Sequence, residues 1–195
     1  MKTLLFYFSD IHLTGKNPEN EGAVIKAFCD DFKKQITSLH HDDAYVLIGG
    51  DLVYAADNGN CYDKFNDKII SQLVSAGISK SKIICVPGNH DIQRQWIIEN
   101  RDVHAPIIDR SFTESSFNDF INGKHSEELT VKFSNFEKFI NSTLPNPRFN
   151  LIGYPVELND EWSLYCINSA LTSFAGYEWD SYPHLKDDRC RLNID

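Results

Sequence analysis

The segment Ile83–Asp91, IICVPGNHD, decides how this chain is read. Ile83, Ile84, Cys85 and Val86 form a short apolar run of the kind that makes a buried strand, and Pro87-Gly88 stops it at once. Three polar side chains follow: an amide at Asn89, an imidazole at His90 and a carboxylate at Asp91. Each can hold a metal ion, and a hydrophobic core has no use for the three in a row behind a strand. The chemistry is therefore expected where the strand ends.

Two earlier segments are built the same way. Leu4–Phe8 is an apolar run that ends in Ser9-Asp10-Ile11-His12, and Tyr45–Ile48 is broken by Gly49-Gly50 and followed by Asp51. Between them Val24, Phe28, Phe32, Ile36 and Leu39 recur at helical spacing, and Phe65, Ile69, Ile70, Leu73 and Val74 mark a second helix that stops near Gly77. Strand, helix, strand, helix, strand implies an α/β chain with a parallel sheet and right-handed crossovers, whose ligand site lies at the carboxyl ends of the strands. Asp10, His12, Asp51, Asn89, His90 and Asp91 are thus expected to share one edge. The cluster His40-His41-Asp42-Asp43 reads as a polar helix end.

After Asp91 the alternation stops. Residues 92–150 read as a helical insertion over the sheet edge, with one helix around Phe112, Phe117, Phe120 and Ile121 and another around Phe133, Phe136, Phe139 and Ile140, closed by Pro145 and Pro147. Its aromatic residues are first of all a packing face; exposed, they would suggest a surface for a protein partner. Arg94 and Arg101 lie near the expected site and read as surface arginines that could meet a phosphate. Leu151-Ile152-Gly153 and Leu164–Ile167 read as two strands paired across Asn159-Asp160-Glu161, and Asn168-Ser169 is another polar strand end. Ala170–Asp195 reads as a loop leading into a helix or strand that is cut off.

Composition narrows the function. With 195 residues and 42% hydrophobic residues the chain can bury one substantial core, so 1–195 is read as a single domain. A formal net charge of -9 argues against passive attraction to a polyanion; a phosphate ester would need local positive charge, which a metal supplies. The five cysteines include no CxxC pair, and Cys85 and Cys166 lie in apolar runs as reduced core residues, which suggests the cytoplasm. The N-terminal apolar run reaches Ser9-Asp10 with no cleavage site of the secretory kind, and no stretch is long enough to cross a bilayer.

Oxygen and nitrogen donors without thiolate suit manganese, iron or zinc. One aspartate can bridge two such ions roughly 3.5 to 4 Å apart, an arrangement that activates hydroxide and offsets charge on a phosphoryl group. Ser9-Asp10-Ile11-His12, Gly49-Gly50-Asp51 and Gly88-Asn89-His90-Asp91, in that order, resemble the first three motifs of the calcineurin-like metallophosphoesterase family. The resemblance implies a β-sandwich flanked by helices, two divalent metal ions and a metal-dependent hydrolase acting on phosphoesters through an activated hydroxide. Phosphodiesters, including nucleotides or nucleic acid, are the favoured substrate class. By position, Asp10 and His12 would bind one metal, Asp51 would bridge and Asn89 would bind the second. His90 would protonate the leaving oxygen or stabilise the transition state, and Asp91 would orient the His90 ring.

The family completes its site with later histidines, a lone one and then a Gly-His-x-His motif; here the later histidines His104, His125 and His184 stand in neither setting. The expectation is a missing C-terminal portion, with Asn193-Ile194-Asp195 closing no strand. The rival reading is a metal-binding or regulatory module without turnover.

Overall fold

In the computed structural model, β1 (Thr3–Phe8), β2 (Asp43–Ile48) and β3 (Ile83–Cys85) form a parallel sheet in that order. Thr3 to Phe8 pair with Asp43 to Ile48, and Val46 to Ile48 pair with Ile83 to Cys85. The structure describes residues 2–14, 18–39, 43–100, 102–103, 113–123, 126–145 and 149–173. Sequence expectations at His40 to Asp42, Arg101, His104, Phe112, His125, Pro147 and everything from residue 174 onward, including His184, lie outside the described residues. The register puts the last residue of each strand at the same end of the sheet, as the repeated strand-then-break pattern requires.

One face of the sheet packs on the crossover helices. Ala44, Val46 and Ile48 of β2 are buried in alternation, and Phe6 and Phe8 of β1 meet Phe32 and Phe28 edge to face with ring centroids 4.9 Å apart. Those phenylalanines lie on α1 (Pro18–Ser38). The helix buries Cys29, Phe32 and Ile36, whereas Val24, expected on the same face, is 70% exposed. Successive steps of four drift around a helix of 3.6 residues per turn; Val24 falls about 80° from Phe32 and Ile25 only about 20°. The second crossover runs from α2 (Asn60–Phe65) through a π turn (Asn66–Ile70) into α3 (Ser71–Ser75), burying Tyr62, Phe65, Ile69, Ile70 and Leu73.

β4 (Gly153–Glu157) and β5 (Ser163–Ile167) make the antiparallel hairpin expected across Asn159-Asp160-Glu161. It begins at Gly153 because Leu151 is drawn into an apolar cluster with Ile92, Ile97 and Leu171. Hydroxyl groups tie the hairpin to the parallel sheet: Tyr45 donates to the Leu158 carbonyl (2.7 Å) and Tyr154 to that of Cys85 (2.9 Å), while the Asn159 amide donates to Thr3 Oγ1 (2.9 Å). Ser169–Thr172 closes the described chain as one 3-10 turn. Cys29, Cys61, Cys85 and Cys166 are free thiols, and no described helix is long and apolar enough to cross a membrane.

The segment after Asp91 is more closely built into the molecule than a covering layer. It holds α4 (Arg94–Glu99), α5 (Glu114–Asn122), α6 (Ser126–Val131) and α7 (Ser134–Thr143), where two helices were expected. α7 sends Phe136, Phe139 and Ile140 into the cluster that covers the sheet, and Phe139 stacks on Tyr62 with centroids 5.0 Å apart. Phe120, Ile121, Leu129 and Phe133 fill the second cluster, and Phe149 touches both. Among the described residues Phe120, Phe133, Phe136 and Phe139 are buried and Phe117 is half-buried against the second cluster, so these rings are used in packing.

Between α6 and α7 the Lys132 side chain is fully buried, its ammonium donating to the carbonyls of Leu171 (2.5 Å) and Ser173 (2.9 Å). The Lys132 carbonyl accepts from the Gln93 amide (2.8 Å), so this turn joins the segment just after Asp91 to the end of the hairpin. A lysine can be buried charged only with such acceptors around it.

Candidate metal centre

Beyond the strands the first two chain segments continue side by side. Gly49 N–H donates to Phe8 O (2.8 Å), Asp10 N–H to Gly50 O (3.1 Å), His12 N–H to Asp51 O (2.9 Å) and Leu13 N–H to Leu52 O (3.2 Å). The path requires left-handed backbone at three non-glycine residues, Asp10 (φ 60°), His12 (φ 48°) and Asp51 (φ 54°). Each costs on the order of 1 kcal/mol, and such residues concentrate where side chains must be aimed. Gly50 (φ 103°) lies against the Gly88 backbone: a Cβ on Gly50 would come 2.8 Å from Gly88 Cα, and one on Gly88 would overlap the Asp51 side chain. The Gly49-Gly50-Asp51 and Gly88-Asn89-His90-Asp91 turns can close on each other only with glycine at both contacts.

These turns gather the donors. His12 Nε2 lies 3.7 Å from Asp10 Oδ1 and 3.6 Å from Asp51 Oδ2, and donor atoms of His12, Asp51 and His90 all lie within 4.8 Å of one another. The His12 and His90 rings meet edge-on, centroids 4.5 Å apart. Asp51 is 8% exposed; its Oδ1 accepts from the His90 amide (2.8 Å), which leaves Oδ2 toward His12. Asp10 is at the exposed rim, with the Ser9 hydroxyl on its Oδ2. Asn89 is half-buried in the turn that carries His90.

Donor separations of 3.6 and 3.7 Å are too long for hydrogen bonds. They come near the roughly 3 to 3.5 Å between neighbouring ligands of an ion bound at about 2.1 Å. Among the described residues neither Asp10 nor Asp51 is paired with a lysine or arginine, and His12 Nδ1 is buried with no hydrogen-bond partner. Clustered carboxylate and imidazole donors without a protein cation fit a divalent metal ion.

Asp91 does not take the expected part. Its carboxyl is fully buried and turned away from the ring of His90: Oδ2 accepts from the amides of Gly88 (2.9 Å) and Leu52 (3.2 Å), and Oδ1 from the Tyr62 hydroxyl (3.0 Å). Burial raises its pKa from 3.8 to about 7, against the pull of those three donors. In the structure Asp91 is a brace that holds the Gly88 turn, the Asp51-Leu52 segment and α2 together. The orientation of His90 comes from elsewhere. His90 Nδ1 lies 2.7 Å from the Tyr54 carbonyl, which can only accept, so a hydrogen on Nδ1 leaves Nε2 with its lone pair. Nothing in the local sequence marks Tyr54 or Tyr62 for these parts, since the contacts join α2 and the loop before it to a turn some thirty residues on.

Arg94, on the first turn of α4, reaches back to the same imidazole. Its Nη2 lies 2.9 Å from His90 Nδ1 and its guanidinium lies over the Tyr54 ring at 5.9 Å. A cavity of about 330 Å³ lies along β3 between the sheet, α7 and the hairpin, lined by Tyr45, Lys82, Ile140, Tyr154 and Glu157 among others, and holds none of these groups.

A parallel sheet that delivers carboxylates and imidazoles from its strand ends into one cluster is an α/β architecture suited to holding divalent metal ions. The sequence pattern of the calcineurin-like phosphoesterases matches residues 5–187, and the chain belongs to that family. No curated protein and no solved structure matches it. Membership implies phosphoester hydrolysis supported by divalent metal ions, and a mixed α/β fold with a parallel sheet at its centre agrees with it.

Proposed function

We propose that this protein is a phosphodiesterase acting on nucleotides or nucleic acid, with two divalent ions, manganese, iron or zinc, held by Asp10, His12, Asp51 and Asn89. The observation that carries the reading is the meeting of His12, Asp51 and His90 donors within 4.8 Å from three separate strand ends. Divalent ions supply a nucleophilic water at neutral pH and neutralise charge on the phosphoryl group. The chain's own residues do the rest. Asp51, whose Oδ1 is anchored by the His90 amide, would serve as the bridging carboxylate between the ions. His90, steadied at Nδ1 by the Tyr54 carbonyl, turns its far nitrogen to the phosphoryl group, where only the imidazolium, with both nitrogens protonated, would give the leaving oxygen its proton or stabilise the transition state.

In the same reading the chain is one domain, residues 92–150 are an insertion whose last helix joins the core, and the β4–β5 hairpin belongs to the second layer of a sandwich. A cytoplasmic location goes with the free thiols.

The test is hydrolysis of bis-p-nitrophenyl phosphate by the manganese-loaded protein, with Asp51→Asn as control. Loss of the bridging carboxylate is expected to lower the rate at least about 100-fold. Equal rates in the two proteins refute the hydrolase reading, and elemental analysis showing one ion per chain rather than two refutes the dinuclear one.

A further inference from the structure

We infer that Arg94 is the substrate-binding residue of this centre, holding the non-bridging oxygens of the phosphoryl group beside His90. The inference rests on the phosphoester reading of the site and adds a residue to it. Arg94 is half-buried, yet among the described residues it meets no carboxylate; its neighbours are the Tyr54 ring, at 5.9 Å, and His90 Nδ1, at 2.9 Å from Nη2. A buried or half-buried guanidinium ordinarily has an acidic partner, because removing the charge from water without one is costly. Here the stabilisation comes from an aromatic face, which fixes the plane of the group while leaving most of its five N–H donors unused.

The position suits an anion. The guanidinium lies beside the imidazole whose donor atom joins the His12 and Asp51 cluster, so an oxyanion seated at that cluster comes within reach of the Nη atoms. A planar fork matches two oxygens of a phosphoryl group, and its charge is permanent. The chain carries a net charge of -9 and sets Asp10 and Asp51 at the same site, so a phosphate approaches against a repulsive field. Among the described residues Arg94 is the cation beside His90, where that field must be overcome. Its tether is short: His90 and Arg94 are four residues apart, with α4 beginning at Arg94.

Titration of inorganic phosphate, followed by phosphorus NMR on the full chain with and without zinc, tests this for the parent, Arg94→Met and Arg94→Lys. Arg94→Met is expected to weaken phosphate binding about tenfold in both arms while leaving zinc content unchanged. Arg94→Lys, which keeps the charge and loses the fork, falls between. Phosphate affinity of Arg94→Met equal to that of the parent overturns the inference even if zinc tightens binding in both proteins. Zinc without effect on the parent, alongside a loss in Arg94→Met, overturns the metal reading and supports the inference. Absence of phosphate binding by the parent in both arms overturns it, and so does loss of zinc by both variants, which makes Arg94 part of the scaffold.

Discussion

Replacing Asp91 by asparagine tests the brace that holds the site together. The carboxyl is completely buried and its pKa rises from 3.8 to about 7, with desolvation the main cause. The folded chain therefore binds this proton more tightly than the unfolded chain. The resulting stability is fully present below about pH 4 and is lost as pH rises through about 7. At 1.36 kcal/mol per pH unit, the parent should lose about 3 kcal/mol at this group between pH 5 and pH 8. Asparagine fits the same contacts, its carbonyl accepting from Gly88 and Leu52 and its amide donating to the Tyr62 hydroxyl, and it does not titrate. Urea unfolding of metal-free parent and Asp91→Asn at pH 5, 6, 7 and 8 reads the difference, with contributions of the histidines common to both. The variant should gain on the parent by about 3 kcal/mol across that range, most of it below pH 7. A stability difference that stays constant with pH would refute the reasoning, and Asp91 would then be ionised in the fold throughout.

Two further substitutions probe the scaffold. Asp10→Gly relieves a left-handed residue (φ 60°) at an exposed site and should raise metal-free stability by about 1 kcal/mol while weakening divalent-ion binding at least about tenfold; thermal unfolding and zinc titration measure the two effects, and a destabilised variant would contradict the strain assigned there. Phe139→Ala empties the space against Tyr62 and Phe65, where Phe139 is 5% exposed, and should cost about 3 to 5 kcal/mol in urea unfolding; a loss below about 1 kcal/mol would mean that α7 is a cover outside the core.

Much of the site was legible because strand ends are local events. An apolar run, a glycine or proline break and a metal-competent residue can be read at Phe8-Ser9-Asp10, Ile48-Gly49-Gly50-Asp51 and Val86-Pro87-Gly88-Asn89 without knowing any contact. Alternation of strands and helices then forced a parallel sheet, and a parallel sheet puts successive carboxyl ends on one side. The sequence by itself thus determined that Asp10, His12, Asp51 and His90 would meet.

Tertiary structure alone decided how each group is used. Asp91 is adjacent to His90 in the chain, but neighbouring side chains diverge in a tight turn, and the carboxyl found Tyr62 and two buried amides while the Tyr54 carbonyl took the imidazole. The same holds for buried Lys132, whose acceptors lie some forty residues on, and for Phe139, whose ring covers α2 of the second crossover instead of facing solvent. Hydrogen bonds and ring contacts are set by distances in space, and periodicity along the chain carries no record of which distant partner fills them.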